Sequence, residues 1–400
     1  MSYTLFFLMK GKLISTDDTF PIVAGLRNAG FKNKIKFIYP SRHDLEIIKK
    51  NKDYYNTLLE VVSVKSFYSV DDFKLNKSFR WLAILLSILQ RNLILSELLF
   101  SKKIIFKIEK IPRINWLIKF NKKVWSGKEV VLYLNTMTFK VFLKWLKNVR
   151  KDGRSLDIYE RLFKGENDLI ISSFNKNQLK LIDKRIEKNA DILTVGNTRL
   201  WSSWKCIINR LSREEIKKLP KKFVFFPLAI IKRKLFGEYL DLTDSVKLII
   251  ETINKIDPTL HLVFRPHPTT NILELKKIIK STKLKRYTVS MLHTTILIDR
   301  CIFVVKYGLS SLDSIIIHQN KHLIRYQNKK LAQMFNEQIH AEAELKKKYF
   351  FYDVYNEKDL FLMAKNTYEK IIKCVDKKNN SNIANEKANV SKVLKFINQS

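Results

Sequence analysis

The amino-acid sequence predicts an α/β chain of two successive halves, each a parallel sheet with helices on its faces. Three observations carry this. Apolar runs of strand length alternate with stretches of helical spacing. The alternation stops at a polar, basic stretch near the middle and then begins again. And 400 residues, 46% hydrophobic and 12% aromatic, are too many for one ordinary domain and enough for two sizeable cores.

In the first half, residues 3–9 form an apolar run that reads as a buried opening strand. Asp17 or Asp18 is expected to N-cap the helix that carries Phe20, Val23, Ala24 and Leu26, and Asn28 to Gly30 ends it. Lys36 to Tyr39 is a second strand closed by Pro40, so the chain opens β-α-β and favours a parallel sheet. Further strands are expected at 130–134, 169–172 and 192–195, with helices near 138–149 and 177–188. Residues 205–222 are polar and basic and read as a linker between a first domain, 1–204, and a second, 223–375. In the second, strands are expected at 223–226, 260–264, 302–305 and 322–326. Helices are expected near 241–256 (begun by Asp241 or Thr243), 271–280, 310–317 and 357–375. From Asp376 to 400, Lys, Asn and Ser dominate, and a mobile tail is expected.

Composition excludes several function classes. Lys and Arg number 75 against 38 Asp and Glu, a net charge of +37. A low-GC coding habit raises Lys, Ile and Asn together, but it raises Glu as readily, so the excess calls for an anionic partner or surface. With nine glycines and no G-x-x-x-x-G-K-[ST] or G-x-G-x-x-G string, P-loop and glycine-fingerprint chemistry are set aside. Cys206, Cys301 and Cys374 are scattered and odd in number, which fits a reducing, cytoplasmic compartment better than a disulfide framework or a zinc site. The N-terminus lacks a basic region before its apolar run, and no stretch of 18 apolar residues occurs. No helix-turn-helix, zinc-finger, RRM or KH signature accompanies the charge, so no nucleic-acid partner is expected, and a nucleic-acid-binding protein stands only as a lesser alternative.

Residues 78–125 stand out as a basic, amphipathic helical insertion in the first domain. Trp81, Leu82, Leu85, Leu86 and Leu89 have helical spacing. Residues 101–125 then hold eight Lys or Arg, among them Lys102, Lys103, Lys107, Arg113 and Lys119, with Trp116 and other aromatics interleaved and one acid. Two readings fit this pattern: a surface that lies in the headgroup region of an anionic leaflet, and a core helix followed by a solvated basic face.

Three strings sit where strands should end, which in open α/β sheets is where ligands bind. In Arg265-Pro266-His267-Pro268-Thr269-Thr270 the prolines bias Arg265 and His267 toward extended backbone. That presents a planar cation and an imidazole suited to phosphate, with Thr269 and Thr270 as caps of the next helix. The alternative is a proline-rich turn with a surface histidine. In Tyr307-Gly308-Leu309-Ser310-Ser311-Leu312-Asp313, Gly308 permits a tight turn, and Ser310 and Ser311 either cradle a diphosphate or form an ordinary N-cap. Asp313 falls in the first helical turn, where it complements the dipole. Gly196-Asn197-Thr198-Arg199 closes the last strand of the first half.

In order and in layout these three strings resemble those of the GT-B-type transferases of bacterial surface-carbohydrate and capsule biosynthesis, a group related to the CDP-glycerol polymerases and capsular Kdo transferases. Such proteins carry a Gly-Asn-Pro-Arg turn ending the first domain, an Arg- or Lys-Pro-His-Pro turn in the second, and a pair of Thr or Ser followed by an acid. Thr198 replaces the usual proline, Asp313 the common glutamate, and His318-Gln319-Asn320-Lys321 a frequent Gly-Lys-Pro turn. The resemblance implies two Rossmann-like domains facing a cleft, and a sugar or polyol phosphate moved from a CMP-, CDP- or UDP-linked donor to a glycan or lipid-linked acceptor. It also implies that Arg265 and His267 hold the donor phosphates, with Thr269, Tyr307, Gly308, Ser310, Ser311 and Asp313 lining the same pocket. No cofactor is expected, and no Asp-x-Asp pair lies at a strand end to hold a metal. An enzyme of this kind is expected on the inner face of the cytoplasmic membrane.

Transfer needs a base for the acceptor hydroxyl, and Asp17 and Asp18, after the first strand, are the candidates beside His267. Either acid is equally placed to be only a helix cap. Asp152 and Glu238 are further acids on expected loops. An epimerase on the same scaffold also needs acids and a phosphate clamp, so it remains an alternative.

Overall fold

The computed structural model describes residues 4–9, 13–50, 52–73, 77–99, 105–107, 120, 123–124, 128–134, 168–182, 191–228, 241–267, 270–282, 284–308, 312–327, 351–373 and 383–398. The chain divides into two compact units, one built from its first half together with residues 380–400, the other mainly from residues 212–379.

The first unit runs β1 (Thr4–Leu8), α1 (Leu13–Asn28), β2 (Lys34–Tyr39), α2 (Arg42–Lys49), α3 (Lys52–Val61), β3 (Ser63–Ser66), α4 (Arg80–Leu99), β4 (Ile105–Lys107), β5 (Glu129–Tyr133), β6 (Leu169–Ser172), α5 (Lys176–Ile182), β7 (Asp191–Thr194) and α6 (Ser202–Leu211). Its seven strands are parallel in the order β3-β2-β1-β4-β5-β6-β7. The chain therefore winds outward from β1 in one direction and then from β4 in the other, the doubly wound pattern with its switch point between β1 and β4. Phe7 and Phe106, paired in register across those two strands, stack with centroids 4.3 Å apart and bury completely. Strands this apolar, Leu5 to Leu8 and Phe37 to Tyr39, suit a sheet covered on both faces.

The second unit runs α7 (Arg213–Lys217), β8 (Phe223–Pro227), α8 (Leu242–Ile256), β9 (His261–Arg265), α9 (Ile272–Ser281), β10 (Tyr287–Val289), α10 (Thr294–Arg300), β11 (Val304–Tyr307), α11 (Leu312–His318), β12 (Leu323–Tyr326), β13 (Phe351–Val354) and α12 (Glu357–Lys373). Its six parallel strands lie in the order β10-β9-β8-β11-β12-β13, again doubly wound, with the switch point between β8 and β11. One face of this sheet, carried by Val224, Phe226, Leu262, Phe264, Val305, Ile324 and Val354, packs on Val246, Ile250 and Ile253 of α8, Leu275 and Ile279 of α9 and Leu360 and Ala364 of α12. Asp241 caps α8 by accepting from Asp244 N, as its position before the helix predicts.

Four expectations are corrected. Asp17 and Asp18 lie in the second turn of α1, not at its cap, because Leu13 and Ile14 start the helix a turn earlier. Within the expected insertion at 78–125, α4 and β4 are integral to the first unit, and Lys107, expected at a membrane surface, belongs to β4 in the middle of the sheet. Lys102, Lys103, Arg113, Trp116 and Lys119 lie outside the described residues. Within the expected linker, α6 packs into the first unit through buried Trp204, Ile207 and Ile208; Trp204 meets Phe20 of α1 edge-on at 5.0 Å. The expected mobile tail contains a helix, α13 (Ile383–Asn398), whose Val390, Val393 and Ile397 are buried and whose Glu386 accepts from the backbone N–H groups of Ser202 and Ser203 at the start of α6. The i, i+3, i+7 apolar spacing was present beneath the polar composition.

Candidate functional site

In the second unit the switch point brings two of the singled-out strings to one end of the sheet. The Arg265-Pro266-His267 turn leaves the carboxyl end of β9, the Tyr307-Gly308 turn leaves that of β11, and β8 lies between them. Pro227 pairs with Arg265, and extending the Val304–Phe225 register by two residues sets Lys306 level with Pro227. Two strand spacings put Arg265 and Lys306 roughly 10 Å apart at Cα.

Arg265 is half-buried and fixed at two atoms: Nε donates to the Leu292 carbonyl at 2.8 Å and Nη1 to the Pro266 carbonyl at 2.7 Å. The first bond ties the end of β9 to the turn after β10, the second lies within the Arg265-Pro266 turn, and a guanidinium so held loses little freedom when it takes up an anion. His267 is half-buried in the same turn, and its carbonyl accepts from Thr270 N at 2.8 Å. Asn271, not Thr269 or Thr270, caps α9 by accepting from Leu273 N and Glu274 N. His293 accepts from Thr295 N as the cap of α10.

Gly308 has φ +68°, a backbone region that side chains disfavour, so the turn after β11 depends on glycine there. Tyr307 is buried, and its ring lies 5.9 Å from that of Tyr326. Thr269, Ser310, Ser311, Asp152 and Glu238 lie outside the described residues.

Beneath this end of the sheet is a buried charge cluster. Lys306, Arg325 and Asp353 are in-register neighbours on β11, β12 and β13, and so share one face. Arg325 binds Asp353 through Nε and Nη2 (2.7 and 3.1 Å), and through Nη1 it binds Asp313 of α11 at 2.7 Å. Lys306 Nζ holds the other oxygen of Asp313. Two cations and two carboxylates balance, and Arg325 also lies 4.6 Å from the centroid of the Phe351 ring. Asp313 anchors the start of α11 to the sheet. Sequence reasoning missed Lys306, Arg325 and Asp353. The signal was a charge at the third place of three otherwise mainly apolar strands.

The first unit gathers a second cluster. Asp18 Oδ1 accepts from Arg199 Nε at 2.7 Å, with the Arg199 side chain 4% and the Asp18 side chain 13% exposed. Thr198 Oγ1 donates to the Asp18 carbonyl at 2.6 Å, and Asn197 accepts from Arg199 N. Gly196, with φ +67°, turns the chain so that this string folds back on α1. Thr16 and Tyr39 share a 2.8 Å hydrogen bond alongside. Burial, joined by the neighbouring Asp17 carboxylate, pushes the Asp18 carboxyl up to about 6 against the pull of Arg199. Burial, Asp17 and Tyr39 hold the Tyr54 hydroxyl well above the usual tyrosine range. Two acids thus share one guanidinium.

No protein-family model matches the sequence, and no curated protein matches it. Solved structures do match the fold. Phytolacca americana UGT2, complexed with UDP-2fluoro-glucose and pterostilbene, matches with a TM-score of 0.54 at 11% identity over 99% of both chains. LpCGTa in complex with UDP gives 0.54 at 9% identity over 100% of both. Arabidopsis thaliana UGT89C1 complexed with UDP-L-rhamnose gives 0.51 at 10% identity over 99% of this chain and 94% of that one. The chain has the α/β fold of these proteins, the GT-B fold, over essentially its whole length.

Proposed function

We propose that the protein is a glycosyltransferase that moves a sugar, or a polyol phosphate, from a nucleotide-activated donor to a surface glycan or lipid-linked acceptor without a metal ion. The observation that carries this is the pre-set Arg265 guanidinium beside His267 at the carboxyl end of β9, one strand from the switch point of the second unit. Similarity of fold to proteins solved with UDP and UDP-sugars supports a nucleoside diphosphate donor. The three ordered strings support the surface-carbohydrate group.

In the step proposed, the acceptor oxygen bonds to the donor's transferred carbon or phosphorus and its proton passes to a base. The bond to the departing phosphate oxygen breaks, and its electron pair leaves with the nucleotide. Arg265 and His267 donate to that developing charge, the task a cation performs elsewhere. For the base we favour Asp18, whose raised carboxyl falls in the range useful near neutral pH.

Two measurements test this. His267→Ala should lower turnover by at least about a hundredfold while Tm is unchanged; undiminished turnover ends the assignment. A thermal-shift screen across CMP-, CDP-, UDP- and GDP-linked donors should raise Tm for one base, and no shift with any of them rejects the donor site. Product formed without acceptor would favour an epimerase.

A further inference from the structure

Helix α4 is inside out. Its inward arc carries Ser87, Gln90 and Glu97 beside Ala83, Ile94 and Leu98. Gln90 donates to the Ser66 carbonyl and accepts from Tyr68 N, and Glu97 is held by Lys36 and Lys65 at 2.9 and 2.8 Å. Its outward arc carries Trp81, Ile84, Leu85, Ile88, Leu89 and Leu93, each between 43% and 66% exposed. An apolar stripe of this size facing water marks a surface that something covers.

We propose that this outer face of α4 lies in the headgroup–acyl boundary of an anionic lipid bilayer. Charge selects the occupant. Arg80 and Arg91 are exposed at the margin of the stripe, and Glu97, the helix's one acid, is turned inward and paired. A cationic, aromatic-bearing apolar face on a chain of net charge +37 complements an anionic leaflet, whereas the same helix of a second copy would offer Arg80 and Arg91 no outward acid, its Glu97 being held by Lys36 and Lys65. Among the described residues, α4 is the one helix long and apolar enough to cross a membrane. The hydrogen bonds of Gln90 and the ion pairs of Glu97 instead fasten it lengthwise to β2, β3 and the segment after β3, so it lies along the bilayer.

The test is flotation of the full chain with vesicles of phosphatidylcholine alone and of phosphatidylcholine mixed with phosphatidylglycerol. Binding to the anionic vesicles should exceed binding to the neutral ones by at least about tenfold. Leu85→Glu/Leu89→Glu should abolish it with Tm unchanged, since both residues face water, and Arg80→Glu/Arg91→Glu should remove the preference for anionic lipid. The proposal is overturned if the native chain does not float, or if the leucine variant floats equally well. A concentration-dependent dimer in lipid-free sedimentation that the leucine variant abolishes would overturn it in favour of a second copy. None of these readouts depends on the transferase reaction.

Discussion

Asp18 and Arg199 stand 181 positions apart in the chain, yet Oδ1 of one lies 2.7 Å from Nε of the other, and the pair fastens the Gly196–Arg199 turn to α1. The turn and the helix therefore depend on each other. Removing the buried guanidinium takes from Asp18 the cation that holds it, so Arg199→Met should cost about 3–5 kcal/mol of unfolding free energy. In a double-mutant cycle with Asp18→Asn, read by denaturant melts, the two losses should fall well short of adding.

The pH dependence has a definite sign. The Asp18 carboxyl sits at about 6 in the fold against 3.8 as its ordinary value, so between those values the folded state binds more proton than the unfolded one. Its contribution is fully present below about 4 and is lost as the pH rises through about 6. The stability of the native chain relative to Asp18→Asn should fall over that window, by no more than about 3 kcal/mol. A flat difference would mean that Arg199 holds the carboxyl ionised throughout.

Asp313 is the hub of the charge cluster in the second unit, since both of its oxygens are engaged, one by Lys306 and one by Arg325. Asp313→Asn should destabilise by about 3–5 kcal/mol, because it removes the carboxylate that Lys306 and Arg325, both buried, share. Lys306→Met in the same chain should recover part of the loss. Urea melts of the single and double variants decide it.

Gly308 and Gly30 both adopt positive φ, and a Cβ at either would meet nothing within 4 Å. Alanine at each should therefore cost only the backbone term, about 1 kcal/mol. Gly308→Ala should also lower turnover, through the turn that leads to Ser310 and Ser311, while Gly30→Ala should not. Equal activities would separate that turn from the reaction.

A Cβ at Gly25 would lie 2.8 Å from Cγ2 of Val390 and 3.2 Å from Cζ3 of Trp201. Gly25→Ala should destabilise by about 1–3 kcal/mol through overpacking, and Val390→Ala should relieve it in the double variant. Rescue in the melting temperature would verify that α13 packs directly on α1.

Much of the architecture is legible in local pattern. Apolar runs such as Phe223 to Phe226 mark strands, and Pro40, Asn28 to Gly30 and Asp241 mark the ends of elements, because these signals act within a few residues. The Arg265-Pro266-His267 turn was legible for the same reason. What was not legible depends on pairing. Lys306, Arg325 and Asp353 become one cluster only when three strands are set in register, and no local rule pairs β12 with β13. Short strands with polar residues, such as Ser63–Ser66, read as loops until a neighbouring strand supplies their hydrogen bonds. Helix α4 shows the opposite failure: its apolar spacing was evident, but the direction in which the stripe faces is set by Gln90 and Glu97 finding partners on other elements.

Glu386 of α13 caps the start of α6, and Val390 fills the space over Gly25, so residues 383–398 complete a body begun by β1 and α1. Because α13 follows every element of the second unit in the chain, the first unit stays open at Gly25 until residues 383–398 have been made. A premature stop that spares every strand would thus wound the amino-terminal body and leave the carboxy-terminal one untouched.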